Sequence, residues 1–302
     1  MLRPYNLLEE MLIEIEYNLK ENINIDLLSK KFSLSERHLR RIFNFAFKQT
    51  LGDYIRSRKL SASLNDLEKD DTNILNIALD YGFDYEQNYI RSFKQEFGIT
   101  PSDFRRTGNI TKEKQPFHLF GENELSNGNI IFSPEIVMVQ KFHVIGKNSR
   151  STFDYTVNQA PDAGKQFLFN ERKLIKNIIN PNIYFGIGRV DIENKYFYYM
   201  PSVQVENLDY VPQGFDKYTF ETSLCAKFRY IGKHHYFALY TNYDLINEII
   251  NEMYKAVSNI NNGENGKYTL SYDKIFFEMI NLDDNDGTYC QMEWFTPVEE
   301  KK

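Results

Sequence analysis

Apolar residues recur along this chain with two different periods, and the change of period divides it before any motif is read. Between residues 6 and 106 the spacing is three or four, with Leu8, Leu12, Ile15 and Leu19 in one series and Leu60, Leu64 and Leu67 in another. That spacing is the mark of amphipathic helices. After Pro134 the spacing becomes two: Phe220, Thr222, Leu224, Ala226, Phe228 and Tyr230 alternate with Glu221, Ser223, Cys225, Lys227 and Arg229, as a half-buried strand requires. Between the halves, residues 108–133 are richer in Gly, Asn and Ser around an apolar interruption at 117–120, and read as a linker. The expected fold is multidomain, with an all-α domain at 1–107, a linker at 108–133 and an α+β domain at 134–302.

The second half also repeats itself. A strand at 135–145, a helix at 167–179 and strands at 183–190 and 196–205 are matched by a strand at 218–230, a helix at 244–260 and strands at 274–280 and 289–297. Two strand-helix-strand-strand units side by side leave a cleft between them.

With 302 residues, 42% of them hydrophobic and 26% charged, the composition is that of a soluble protein with about two cores. The sequence does not open like a signal peptide and holds no apolar run of about 18 residues, so a cytoplasmic address and no membrane partner are expected. Two cysteines, Cys225 and Cys290, make neither a disulfide framework nor a metal cluster. His118, His143, His234 and His235 lack metal-ligand company, and no cofactor motif is present.

The net charge of -6 hides a local excess. Residues 29–59 hold nine Lys or Arg against two acids, whereas 60–90 hold seven acids and one Lys. The basic surface is therefore a patch, of the kind that attracts polyanions.

On a helical wheel Tyr89, Phe93 and Phe97 share one face, with Gln87, Arg91 and Lys94 nearly opposite. Upstream, Ile74, Ile77, Ala78 and Tyr81 form a preceding helix that Gly82 can end in the left-handed conformation. The same helix-turn-helix plan occurs earlier: Leu27, Leu28 and Phe32, a turn at Ser33 and Ser35, then Leu39, Ile42, Phe43 and Ala46 inward with Arg37, Arg40, Arg41 and Asn44 outward. Two such units on one chain can place two recognition helices in successive major grooves of double-stranded DNA. Arg reads guanine and Gln adenine in bidentate fashion, and a Glu such as Glu86 can accept from cytosine.

These motifs, SERHLRRIF and LGDYIRSRKL in the first unit and ILNIALDYGF and YIRSFKQEFGITPSDFR in the second, resemble the DNA-binding domain of AraC-type transcription regulators of the MarA and Rob kind across residues 6–106. The resemblance places base-reading positions at Arg37, Arg40 and Arg41 in one helix and Glu86, Gln87 and Arg91 in the other. It implies a regulator that binds DNA as a monomer and has RNA polymerase as a partner. Two positions depart from the family pattern: Lys48 stands in place of a glycine after the first recognition helix, and the turn FSLS lacks its usual glycine.

In the second half, Glu278 shares strand parity with Phe276 and Ile280, and Glu293 lies between Gln291 and Phe295. A carboxylate on an apolar face must meet a cation or hydrogen-bond donors, and with aromatic walls it would suit a lipophilic cation. The segments PEIVMVQKFHVIG, VPQGFDKYTFETSLCAKFRYIG, FFEMI and MEWFTPV resemble the GyrI-like effector-binding domain of Rob and BmrR. That resemblance implies a small-molecule effector against Glu278, Glu293 and Phe295, with Tyr198, Tyr199 and Trp294 around it. Two alternatives stay open: a protein-docking module without a small ligand, or a small-molecule hydrolase. No nucleophile elbow or phosphate loop supports the last, and a non-enzymatic role is expected.

Overall fold

The computed structural model describes residues 2–300 except 70–71, 111–112, 114, 120–121, 153–159, 192, 194–195, 261–266, 272–273 and 286. The chain forms two compact units, Met1–Phe120 and Gly121–Lys302. No helix among the described residues is long and apolar enough to cross a membrane.

The first unit is helical: α1 (Pro4–Tyr17), α2 (Ile25–Lys31), α3 (Glu36–Phe47), α4 (Leu51–Leu67), α5 (Ile74–Asp80), α6 (Glu86–Phe97) and α7 (Pro101–Thr107). Five of these start on a short polar side chain that accepts a first-turn N–H, namely Asn24, Ser35, Thr50, Asn73 and Thr100. Each such cap is worth about 1 kcal/mol. Helix α4 is the axis of the unit. Its C-terminal half, through Leu60, Leu64 and Leu67, packs with Ile77, Tyr89, Phe93, Phe97 and Phe104 of α5, α6 and α7, and its N-terminal Tyr54 meets Phe43 of α3 at 5.3 Å.

Helix α4 also buries polar groups, and each is met. Arg58, 8% exposed, donates from Nε and Nη2 to the two carboxylate oxygens of Glu16 on α1, both at 2.9 Å. The Tyr54 hydroxyl donates to the same carboxylate at 2.9 Å. Lys59 donates to the carbonyls of Glu21 and Tyr81 at 3.0 and 2.9 Å, the second being at the C-cap of α5, and burial lowers its pKa.

The two helix-turn-helix units use the same backbone turns with different residues. Ser33 (φ 56) corresponds to Gly82 (φ 73) inside the turns, and Lys48 (φ 54) to Gly98 (φ 80) after α3 and α6. The first unit thus keeps the left-handed geometry without glycine, at the steric cost this region carries for a Cβ.

The second unit is an antiparallel sheet with helices: β1 (Asn123–Glu124), β2 (Ile130–Val139), β3 (Phe142–Gly146), β4 (Ser149–Thr152), α8 (Ala160–Gln166), β5 (Ile183–Asp191), β6 (Tyr196–Val205), β7 (Asp216–Phe220), β8 (Ser223–Gly232), α9 (Tyr243–Asn259), β9 (Tyr268–Leu270), β10 (Phe276–Asn281) and β11 (Cys290–Glu300). The order is β1-β2-β8-β11-β10-β5-β6-β3-β7, with β4 beside β6 and β9 beside β11. In each half the first strand pairs with the last and the last with the middle one (β3-β6-β5 and β8-β11-β10), and β5 pairs with β10 at the seam.

The strands expected at 135–145 and 218–230 are each bent into two. Residues 140–141 and 221–222 break them together, where the Lys141 N–H donates to Thr222 Oγ1 at 3.2 Å. Beyond the bend β3 pairs with β7, and before it β2 pairs with β8. One two-stranded ribbon therefore supplies both ends of the sheet, and two linking residues span only about 11 Å, so the sheet must curl. Ring contacts bear this out: Phe142 of β3 lies 5.1 Å from Phe277 of β10, three strands away, where a flat sheet would hold them about 14 Å apart. The inner face is filled by Val144, Phe185, Ile187, Met200, Phe220, Cys225, Phe277 and Phe295, and the other face packs with the helical segments.

The helix expected at 167–179 begins earlier and ends sooner. After α8 come a π-helical turn (Phe167–Glu171) and a 3-10 turn (Arg172–Leu174), and Ile178 then bridges to Val205. Within α8, Gly164 sits where a Cβ would lie 2.6 Å from Phe237 and 3.0 Å from the Tyr184 hydroxyl, so close packing and not helix propensity selects glycine there. The stretch read as a linker holds β1 and the start of β2, while Phe117 stacks on Tyr54 in the first unit at 4.7 Å.

Glu16→Ala is expected to lower the unfolding free energy by about 3 kcal/mol, because the Arg58 guanidinium stays buried without its carboxylate. Urea denaturation reads this, and a loss under about 0.5 kcal/mol, the worth of an exposed pair, contradicts it. Lys48→Gly is expected to raise stability by about 1 kcal/mol by relieving the left-handed strain; lower stability in the same titration counts against that strain.

Candidate functional site

Helix α3 buries His38, Leu39, Ile42, Phe43 and Ala46, which turns Arg37 and Arg40 outward and leaves Arg41 half-buried. Helix α6 buries Tyr89, Phe93 and Phe97, and presents Gln87, Arg91 and Lys94 with Glu86 partly covered. All seven residues expected at a DNA surface thus lie on two helices, three on the first and four on the second. Arg40 stands 3.4 Å from Glu36 in its own helix, with both side chains close to half exposed, and a pair of that kind is worth a few tenths of a kcal/mol. It leaves the guanidinium available to a stronger partner.

The basic run at 29–59 shrinks when burial is taken into account. Arg58 and Lys59 are internal, and Lys30, Lys31 and Arg56 pair with Asp26, Glu14 and Asp53. On α3, Arg37 and Arg40 stay exposed and Arg41 half-buried, with Arg40 beside Glu36.

In the second unit the six residues expected around an effector divide between the two faces of the sheet. Register decides the division: Glu278 lies opposite Trp294 and opposite Gly186, whereas Glu293 lies opposite Met279, and Phe295 opposite Phe277. Glu278, Trp294 and Tyr199 belong to the helix-covered face. Phe295 belongs to the inner face, stacked on Phe277 at 4.5 Å. Glu293, of the same parity, pairs with Lys227 at 2.6 Å. Tyr198 lies under the Arg189 guanidinium at 4.7 Å and shares the parity of inward Met200. Glu293, Phe295 and Tyr198 therefore do not share a site with Glu278, because neighbours in a strand point to opposite faces.

Around Glu278 the structure adds residues that the sequence reading did not include. The Glu278 side chain is buried, with 1% of the residue exposed, and accepts the Tyr199 hydroxyl at 2.6 Å. The Tyr199 oxygen is 2.7 Å from that of Tyr184, so the two hydroxyls can run as a chain into the carboxylate. Burial first and Glu278 second push the Tyr184 phenol well above its ordinary pKa, and the same two causes raise the Cys290 thiol. Gly186 makes room: a Cβ there would fall 2.3 Å from Glu278 Oε1 and 2.6 Å from the Tyr199 hydroxyl. Gly188 does the same for Phe276, whose ring a Cβ would meet at 2.3 Å. The motif YFGIGRV, two glycines two apart within a strand, was the available signal, since strand glycines mark close approach.

A helix-turn-helix domain family matches residues 28–107. The probable transcription factor PqrA of Proteus vulgaris is 39% identical over 98 residues, which is 32% of this chain and 80% of that protein. The regulatory protein SoxS of Escherichia coli (strain K12) is 35% identical over 99 residues, 33% of this chain and 92% of that protein. A solved AraC-type DNA-binding regulator from Chromobacterium violaceum aligns over 35% of this chain and 96% of its own at 22% identity, with a TM-score of 0.33. Outward polar rows on α3 and α6 accompany these likenesses, and by its N-terminal residues the chain belongs to the AraC-type family of helix-turn-helix transcription regulators.

Proposed function

We propose that this DNA-binding regulator reads its site with both recognition helices of one chain and is controlled by a small molecule bound in its second unit. The observation that supports the first part is the matched pair α3 and α6, each buried by three or more apolar residues and each exposing a polar row. Arg37, Arg40 and Arg41 are the proposed readers on α3, and Glu86, Gln87, Arg91 and Lys94 on α6. Since one chain holds both helices, it binds an asymmetric site as a monomer, and it acts on transcription through RNA polymerase as the family resemblance implies.

The second part rests on Glu278. A carboxylate at the seam of two sheet halves, 1% exposed and held by a tyrosine pair, carries a desolvation cost of several kcal/mol that a cation offsets. With Trp294, Phe197 and Phe276 on the same face, the residues suit a lipophilic cation by charge and by ring contact. This is the GyrI-like effector-binding reading of residues 134–302, now narrowed to Glu278, Tyr199 and Trp294 with Tyr184 as support.

Arg40→Ala is expected to cost about 1–3 kcal/mol in DNA binding, confined to one base pair of the site. Competition binding against single-base variants reads this, and a loss equal across all sequences makes Arg40 a phosphate contact instead. In thermal-shift titrations of the full chain, lipophilic aromatic cations are expected to raise the melting temperature of the second unit. Glu278→Gln should weaken them by about ten-fold or more while neutral aromatics of similar shape change little. Equal weakening of both classes removes the charge argument, and no shift with any ligand favours a docking module.

A further inference from the structure

The chain does not leave the DNA-binding helices where α7 ends. Gly108 closes α7 in the left-handed conformation (φ 66), and Ile110 then packs on the core made by the second half of α4 with α5, α6 and α7. Phe117 is held by the other subdomain. Its ring lies nearly parallel between Tyr54 of α4, at 4.7 Å and 8°, and Phe47 of α3, at 4.8 Å and 7°, with Phe43 of α3 at 6.4 Å. Its N–H donates to the Tyr54 hydroxyl at 3.2 Å, which itself donates to Glu16. One short stretch thus anchors at Ile110 on the second helix-turn-helix and at Phe117 on the first.

The place where Phe117 lands is the end of α3. Phe47 is the last residue of that helix, and Lys48, which follows in the left-handed conformation, takes a position that glycine fills with less strain. Backbone preference alone therefore fixes the exit of α3 poorly. The ring of Phe117, seated against Phe43 and Phe47, supplies a packing constraint on the same turn. Phe43 and Phe47 lie on the helix that exposes Arg37, Arg40 and Arg41, so whatever rotates this end of α3 rotates the arginine row.

We propose that Phe117 is a positioning residue for DNA recognition: inserted from outside the helix-turn-helix units, it sets the orientation of the first recognition helix while Ile110 holds the same stretch to the second. The proposal rests on the reading of α3 and α6 as the two recognition helices and adds a residue that touches no DNA.

The test uses full-length protein and a duplex selected from a randomised DNA pool by the wild type. Base positions lost in Arg40→Ala define the part read by α3, and those lost in Gln87→Ala the part read by α6. Phe117→Ala is expected to weaken binding by about ten-fold, as pre-organisation is lost, with preference flattened in the Arg40-dependent part and kept in the Gln87-dependent part. Phe117→Tyr keeps the ring and should stay within about three-fold of wild type. Circular dichroism melting follows the fold, and if Phe117→Ala does not melt cooperatively, Phe117→Leu, which keeps apolar volume without the ring, is expected to show the same one-sided flattening. Affinity within about two-fold of wild type in the folded variants, or equal flattening of both parts, overturns the proposal. Wild-type selection without separable Arg40- and Gln87-dependent parts refutes the two-helix reading itself, and the role of Phe117 falls with it.

Discussion

Arg58 sits inside the first unit with 8% of its surface exposed, and Glu16 meets two of its nitrogens at once. A guanidinium taken out of water needs such a fork-to-fork partner, so α1 has one position along α4 and not several. The next residue, Lys59, turns to the other side and bonds carbonyls at Glu21 and at the end of α5. Both helix-turn-helix units are thereby referred to one helix: α1 and α3 at its start through Glu16, Tyr54 and Phe43, and α5, α6 and α7 along its later turns through Leu60, Leu64 and Leu67. In the proposed reading the spacing of α3 and α6 is a matter of stiffness, and α4 supplies it with Arg58 and Lys59, both buried.

The second unit solves a different problem. A sheet whose ends are joined by a two-residue bend must close around something, and it closes around the Phe142, Phe185, Phe220, Phe277 and Phe295 rings. The inner face is filled with rings, and the buried carboxylate of Glu278 lies on the other, helix-covered face, at the β5-β10 seam. There Gly186 and Gly188 remove side chains from one strand so that Glu278 and Phe276 of the other can lie across it. The carboxylate is then fixed by Tyr199 and, behind it, Tyr184.

Much of this was legible before any coordinates. The polar rows of α3 and α6 follow from spacing alone, and Glu278 follows from strand parity with Phe276 and Ile280. Other features could not be read. Charge counting cannot see that Arg58 and Lys59 point inward, because burial depends on where Glu16 and the Tyr81 carbonyl arrive. The strand grouping of Glu293 and Phe295 with Glu278 required the register of β10 on β11, which the loop between them sets. Adjacent pairs such as Tyr198 and Tyr199, or Trp294 and Phe295, carried half of the answer in advance, since one member of each had to face away. Phe117 was hidden by composition: a polar stretch around a few apolar residues reads as linker until its ring is found between Phe47 and Tyr54.

One chain with two recognition helices on a common axis should need no second copy to cover its site. Sedimentation velocity of the full-length protein on a duplex carrying a single selected site measures this directly. One chain per duplex at saturation is expected, with α3 and α6 both engaged. Two chains per duplex, bound together or not at all, would contradict reading by both helices of one chain and would place the second half of the site in another protomer.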